Sequence, residues 1–184
     1  RRLTAGQVEH TVADLFGIDL TLEVEDERVI AYRSNISTSV DVASARGYFD
    51  LASAVTAGAD LARCETSCLD WLLDEVGLQL FRRPLSADER ERYSALFELG
   101  TETEDERAAA GWVLEAMLQS PSFLYFDEVV KEDGTLDDYS MAARLSLLLW
   151  GRNPDLALLS RAENGELSSK AAIEEEVAAP GERV

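Results

Sequence analysis

The stretch SADERERYSALFELG, Ser86 to Gly100, decides the fold class of this chain. Ser86 followed three residues later by Glu89 is the capping-box pattern that starts an α-helix, because each side chain can accept a hydrogen bond from the other residue's backbone N–H. Tyr93 and Leu96 then follow at helical spacing. Gly100 is a typical helix stop. The stretch therefore predicts a helix between residues 86 and 100.

Two more capping-box patterns lie on either side of this helix. Thr4 with Gln7 precedes an apolar stripe, and Gly17 follows as a natural stop. Thr103 with Glu106 precedes another stripe, and a proline soon afterwards predicts its end, since the residue before proline avoids helical geometry. The two stripes consist of Val8, Val12, Leu15 and Phe16, and of Ala109, Trp112, Val113, Ala116 and Met117.

The remaining helix predictions rest on apolar periodicity and single caps. They cover residues 41–57, residues 65–81, residues 137–151, a short helix after Pro154 and a polar helix over residues 169–178. In the helix predicted over residues 41–57, the pattern places one set of side chains inward, namely Ala45, Phe49, Ala52 and Val55.

One segment departs from helical periodicity. Leu20, Leu22 and Val24 alternate with polar residues, and a charged turn separates them from a second apolar run, which is typical of a hairpin. We therefore predict an all-α fold, an irregular bundle of about seven helices with one small β-hairpin near residues 20–32. The predicted core includes Leu15, Phe16, Leu72, Val76, Leu96, Trp112, Leu145 and Leu149.

The domain organisation follows from these elements. We expect an N-terminal helical segment with the hairpin over residues 1–63 and a helical core segment over residues 64–184, packed as one compact unit. Because the chain begins at Arg1 and carries no signal-peptide pattern, we also expect it to be a processed product or an excised fragment.

The composition limits the partners. The 184 residues include 17 Lys and Arg against 36 Asp and Glu, a net charge of −19. Such a chain repels nucleic-acid backbones and anionic lipid surfaces, whereas a basic protein surface is a partner that the charge favours. No apolar run approaches the roughly 20 residues that span a bilayer. The hydrophobic fraction of 46% is sufficient for a sizeable core.

The two cysteines predict a local disulfide. Cys64 and Cys68 form a CxxxC pair, which matches neither the usual zinc spacing nor a CxxC redox motif, and the chain has no CxxCH haem motif. We expect them to be bonded to each other in an oxidising compartment. Two free thiols, or pairing with another chain, are the alternatives.

Chemistry-bearing motifs are scarce. The single histidine, His10, lies off the apolar stripe of its helix, and no GxSxG motif presents a serine to it. The acidic segment over residues 127–140 fails the EF-hand template, which leaves incidental calcium binding open. We accordingly predict no catalytic, cofactor-binding or metal-binding residue.

Four polar residues are predicted to have structural roles. Arg82 and Arg83 follow an apolar helix, and Arg144 lies at the edge of another. Because a buried charge needs a partner, we expect contacts to carboxylates or to helix C-terminal carbonyls. Asp155, after Pro154, should cap the next helix.

Four segments together resemble a known family. They are RLT (2–4) with TVADL (11–15), FRRPL (81–85), LQSPSFLY (118–125), and ARLS (143–146) with LW (149–150) and PD (154–155). In this order they resemble the planctomycete cytochrome-associated family of large exported bacterial proteins, which is built from domains of unknown function. The resemblance implies export to the periplasm or cell surface, and it implies that this chain is the N-terminal part of a larger protein whose further domains are its partners. Some members carry c-type cytochrome modules elsewhere. The resemblance implies no catalytic residue for this chain.

Three functions remain after these exclusions. The first is a non-catalytic helical assembly or binding module of a larger exported protein, which the regular caps and the scarcity of site motifs favour. The second is part of a carbohydrate-active or redox enzyme whose site is acidic or lies in other domains. A concave pocket that holds Arg82, Arg144 or Asp155 with a few carboxylates would favour it. The third is an acidic docking partner for a cytochrome, which salt-dependent association would favour.

Overall fold

The computed structural model describes residues 1–29, 32–33, 35, 40–61 and 67–178, and this part of the chain is all-α, as predicted. The number of helices is close to the predicted seven, because α3, a π-helical turn at Leu72–Val76 and α4 form one continuous helix. The α-helices are α1 (Ala5–Phe16), α2 (Val42–Gly58), α3 (Cys68–Trp71), α4 (Gly77–Phe81), α5 (Ala87–Thr103), α6 (Glu106–Leu118), α7 (Pro121–Leu124), α8 (Asp138–Leu149), α9 (Leu156–Glu163) and α10 (Lys170–Ala178).

The predicted hairpin is smaller than its sequence pattern. Strands β1 (Arg28–Val29) and β2 (Tyr32–Arg33) pair antiparallel, at the C-terminal end of the predicted range. The alternation of apolar and polar residues before these strands reflects the packing of apolar side chains and not strand pairing. Leu22 is buried, and its backbone N–H donates to Oε1 of Glu9 at 2.7 Å.

Two of the three predicted capping boxes are confirmed. Thr4 and Gln7 cap α1 reciprocally, and Gly17 ends it in the left-handed conformation with φ 67°. Ser86 and Glu89 form the same reciprocal box at α5. Both boxes need only residues within one helical turn, so the local sequence is sufficient to specify them.

The third box is wrong, and so is the predicted stop at Gly100. Helix α5 continues through Gly100 to Thr103, and Asp105 is the residue that caps α6, accepting from the backbone N–H of Ala108 at 2.8 Å. Gly100 instead permits close packing of α5 on α6. A Cβ at this position would lie 2.7 Å from Cβ of Ala109.

The other helices begin close to their predicted positions. Asp41 caps α2 and Asp137 caps α8 through side-chain hydrogen bonds to the first turn. The helix predicted over residues 65–81 is seen from Cys68 onwards, and its predicted first residues lie outside the described part of the chain.

The core is only partly as predicted. Leu72, Val76 and Leu145 are buried. Three more of the predicted core residues are partly buried and pack against the same core, namely Leu15, Phe16 and Leu96. A second small cluster lies under α8 and α9 and consists of Ala142, Leu158, Ala162 and Leu167.

Two predicted core residues are wrong. Trp112 is 39% exposed and Leu149 is 40% exposed. In α6, Val113 and Met117 of the predicted stripe are buried, while the Trp112 ring lies beside α5 at the edge of the buried face. In α2, Ala52 and Val55 are buried as predicted, whereas Phe49 is half-exposed. Apolar periodicity located these helices and part of each buried face, but not where that face ends.

Within the described ranges, no helix combines the length and the apolar character needed to cross a membrane.

Candidate functional site

Arg82 is the most deeply buried of the three arginines singled out in the sequence. It ends α4 and adopts a left-handed backbone conformation with φ 61°, which a non-glycine residue takes at a cost of about 1 kcal/mol. This conformation turns the chain sharply after Phe81. The residue itself is only 3% exposed.

The Arg82 guanidinium binds neutral acceptors from three parts of the chain. Its Nη1 donates to the carbonyl of Leu80 at 3.0 Å and to Oδ1 of Asn153 at 3.3 Å. Both Nη atoms donate to the carbonyl of Phe123, and Nη2 also donates to the carbonyls of Ser122 and Tyr125 at 2.7 and 2.8 Å. These charge-assisted bonds offset the cost of burying the guanidinium.

Burial has an electrostatic consequence for Arg82. Loss of hydration and, to a smaller extent, the neighbouring charge of Arg83 lower its pKa to about 9, against the opposing effect of Asp127. The side chain is therefore still cationic at neutral pH. A buried cation held by carbonyl groups fixes the backbone that supplies them, and this favours a positioning role over acid–base chemistry.

Asn153 completes the connection on the other side. Its Nδ2 donates to the carbonyls of Gln79 and Leu80 at 2.9 and 3.1 Å, so it binds the end of α4 directly as well as through Arg82. Its backbone N–H donates to Oγ1 of Thr11 in α1 at 3.3 Å. We call Thr11, Leu80, Arg82, Phe123 and Asn153 the Arg82 network. It joins α1, α4, the α7 region and the loop between α8 and α9.

Arg83 is held by a separate, bidentate ion pair. Its Nη1 and Nη2 bind the two carboxylate oxygens of Glu89 at 2.8 and 3.0 Å. Glu89 also accepts from the backbone N–H of Ser86 and the hydroxyl of Ser122, both at 2.8 Å. The hydrogen bond from Arg83 is the main cause that lowers the pKa of Glu89 to about 2, with Ser86 and Ser122 acting in the same direction against burial.

The other two predicted residues lie elsewhere. Arg144 forms a bidentate pair with Glu128 at 2.7 and 2.6 Å, and its side chain is 50% exposed. Asp155 is the N-cap residue of α9, and its Oδ1 accepts from the backbone N–H of Leu158 at 2.7 Å. The four residues thus do not form one site: Arg82 and Arg83 line one cleft, Asp155 a second and Arg144 a third.

Sequence reasoning missed Asn153 and Thr11 as network members. No local pattern marks either residue, because their partners are more than 70 residues away in the chain. Glu89 was found only as a capping residue: a carboxylate partner was expected for Arg82 or Arg83, but it was not identified as Glu89. The nearby sequence RRPLSADE carries the only signal, a basic pair six residues before the acid.

A cleft of about 300 Å³ adjoins the Arg82 network. We call it the Trp150 cleft. Its walls come from α1, α4, the end of α8 and the following loop, and the side chains relevant below are Asp14, Gln79, Trp150, Arg152, Asn153 and Asp155. It is a concave site that contains the predicted residue Asp155 together with a second carboxylate, that of Asp14.

The remaining candidates have simpler surroundings. His10 is exposed, with Nδ1 3.2 Å from the carbonyl of Gly151. Cys68 is buried at the start of α3, whereas Cys64 lies outside the described residues, so the disulfide stays a prediction. In the portion of the chain that the structure describes, no three His, Cys, Asp or Glu side chains are grouped as metal ligands would be.

Comparison with known proteins finds two family models, each of which covers less than half of the chain. Residues 68–128, from α3 to just past α7, are similar to PSD5, a protein family of unknown function (DUF1595). Residues 136–179, which contain α8 to α10, are similar to PSD4, a protein family of unknown function (DUF1592). No curated protein and no solved structure matches the chain. Arg82 lies in the first matched segment and Asn153 in the second, so the Arg82 network joins the stretches that resemble these two families.

Proposed function

We propose that this chain is a non-catalytic helical assembly module of a larger exported protein of the planctomycete cytochrome-associated type, located in the periplasm or at the cell surface. The Arg82 network is the observation that carries the proposal. Its charged group is buried and held by carbonyl and amide oxygens of the protein itself, which supports a role in the packing of helices.

The polar residues around it support the same conclusion. Arg83 and Glu89 bind each other and the ends of helices. The carboxylate of Asp155 caps α9. Catalytic acids and bases usually have pKa values shifted toward neutrality, whereas the lowered pKa of Glu89 keeps it ionised at neutral pH.

Two further observations support an assembly role within an exported protein. The two matched families have no assigned activity, and domains of this kind occur in exported bacterial proteins. The surface also carries isolated apolar side chains suited to contact with neighbouring domains, since Val42 is 88% exposed and Leu148 is 74% exposed. The net charge of −19 favours a neighbour with a basic surface.

Hydrogen–deuterium exchange tests the assembly role. The isolated chain is compared with the complete protein that its gene encodes, purified from the periplasmic or surface fraction of the source cells. We expect added protection at the start of α2 and the end of α8, around Val42 and Leu148, with unchanged protection around buried Val113 as the internal control. Equal exchange at every described surface in the two samples would contradict an assembly role. Recovery of the complete protein only in the cytoplasm would contradict export.

A further inference from the structure

The Trp150 cleft combines features that recognise a neutral polyhydroxylated ligand. Its volume of about 300 Å³ is at the lower end of the range for small-molecule sites. It is lined by an aromatic ring and by planar polar side chains from separate elements. The cleft lies beside the Arg82 network, whose hydrogen bonds hold Asn153 and the end of α4 in fixed positions.

Two carboxylates and one guanidinium line the cleft, a formal charge of −1. Arg152 Nη1 pairs with Oδ1 of Asp14 at 3.1 Å. The second carboxylate, Asp155, is at the N-terminus of α9, where the helix dipole and the N–H of Leu158 offset its charge. A strongly anionic ligand would meet two carboxylates, and a strongly cationic one would meet Arg152. The arrangement therefore favours an uncharged ligand.

Arg152 retains donors for such a ligand. Among the residues that the structure describes, Asp14 is the only acceptor to which its guanidinium donates a hydrogen bond, through Nη1, although the group carries five N–H donors. Its side chain is 30% exposed and that of Asp14 is 43% exposed. A guanidinium and a carboxylate side by side present both donors and acceptors, which matches a pair of neighbouring hydroxyl groups.

Trp150 supplies the apolar surface. It follows the last residue of α8, is half-buried, and packs against the small cluster under α8 and α9. Packing of this kind limits the motion of the indole ring, so little entropy is lost when a ligand stacks on it. Sugar rings present apolar C–H groups on one face and hydroxyl groups at the edge, and this combination fits an aromatic ring beside planar polar side chains.

We propose that the Trp150 cleft binds a neutral saccharide of one or two sugar units. Trp150 stacks on the C–H face, and the Asp14–Arg152 pair with Gln79 binds the hydroxyl groups. This proposal does not rest on the assembly role, since a helical module can assemble with or without a sugar in the cleft.

Titration calorimetry and tryptophan fluorescence test the proposal on the whole chain. The probes are cellobiose, maltose, lactose, xylobiose and N,N′-diacetylchitobiose, each at up to about 10 mM. We expect saturable binding of at least one of them. Absence of binding by every probe would overturn the proposal, as would tighter binding of glucose 6-sulfate or glucosamine, because the charge argument would then be wrong.

Three variants locate the binding. Trp150→Phe and Arg152→Gln should each weaken the affinity for the sugar about tenfold. Trp112→Phe is the control and should leave the affinity unchanged, since Trp112 is a partly exposed tryptophan on α6. Circular dichroism checks that each variant is folded. Arg152→Gln keeps the test decisive if Trp150→Phe unfolds. Equal weakening by Trp112→Phe, or unchanged binding in Arg152→Gln, would place the sugar elsewhere and overturn the proposal.

Discussion

Arg82 and Asn153 bind each other and share the same backbone acceptor. Arg82 donates to Oδ1 of Asn153, and both side chains donate to the carbonyl of Leu80 at 3.0 and 3.1 Å. Leu80 is near the end of α4, so this triangle fixes where the helix stops and what packs on its end. The two residues are 71 positions apart in the chain. Segments similar to two different families thus meet at one hydrogen-bonded point.

Gly100 should be intolerant of even a small side chain. We expect Gly100→Ala to destabilise the protein by about 1–3 kcal/mol, although alanine favours helices, because the added Cβ would lie 2.7 Å from Cβ of Ala109. The matched control is Gly6→Ala in α1, where nothing lies within 4 Å of an added Cβ. That variant should be neutral or slightly stabilising. Urea unfolding measures both, and equal stability of the two variants would contradict the close approach of α5 and α6.

The Arg83–Glu89 pair should make stability depend on pH in the acid range. The folded state lowers the pKa of Glu89 from 4.5 to about 2, so the ionised carboxylate stabilises the fold above pH 4.5 and this contribution is lost as the pH falls toward 2. We expect Glu89→Gln to cost about 2 kcal/mol at neutral pH.

The pH series uses the difference between the parent and the Glu89→Gln variant, which removes the effect of the other carboxylates. Unfolding free energies are measured by urea titration between pH 7 and pH 2.5. The difference should shrink below pH 4.5, and a constant difference over the whole range would show that Glu89 is not ionised and paired in the folded protein.

Arg144→Ala should have only a small effect on stability. Removing a buried, paired arginine would cost a few kcal/mol, because its partner would be left unpaired. The structure shows a pair with Glu128 that is half-exposed on the arginine side, and such surface pairs contribute less than about 1 kcal/mol. Thermal unfolding monitored by circular dichroism measures the change. A loss of several kcal/mol would contradict the exposed position, and an unchanged melting curve with loss of a ligand or an activity would instead assign Arg144 to a site.

Cys64 and Cys68 are predicted to form a disulfide in the mature protein. The loop between them is short, so the bond contributes little through chain entropy and would mainly fix the entry into α3. Thiol titration of protein purified without reductant should find no reactive thiol after unfolding in denaturant. Two titratable thiols per chain would show that the pair is reduced.

The sequence was informative where the structure depends on near neighbours. The boxes at Thr4 and Ser86 were predicted correctly because a capping residue and its partner lie within four positions. The stop at Gly100 was predicted wrongly because a glycine in a helical sequence can serve either of two roles. It can end the helix in the left-handed conformation, or it can allow close packing against another helix. Only the position of Ala109 distinguishes them.

Longer-range features were not predictable. Trp112 and Leu149 follow helical periodicity but lie at the edge of the core, since the face that a helix buries depends on which neighbours cover it. The acceptors of Arg82 were equally unpredictable. The sequence indicated that the arginine needs acceptors, but these come from residues 80, 122, 123, 125 and 153.

The double-mutant cycle of Arg82→Lys and Asn153→Ala tests most directly whether the Arg82 network joins the segments of the chain. Unfolding free energies of the parent, both single variants and the double variant are measured by urea titration, with Arg46→Ala as the exposed-arginine control, its side chain being 80% exposed. We predict that both single variants lose stability, that the control does not, and that the two changes are coupled by about 1–2 kcal/mol. Effects that add to within about 0.5 kcal/mol, or single variants as stable as the parent, would contradict the account.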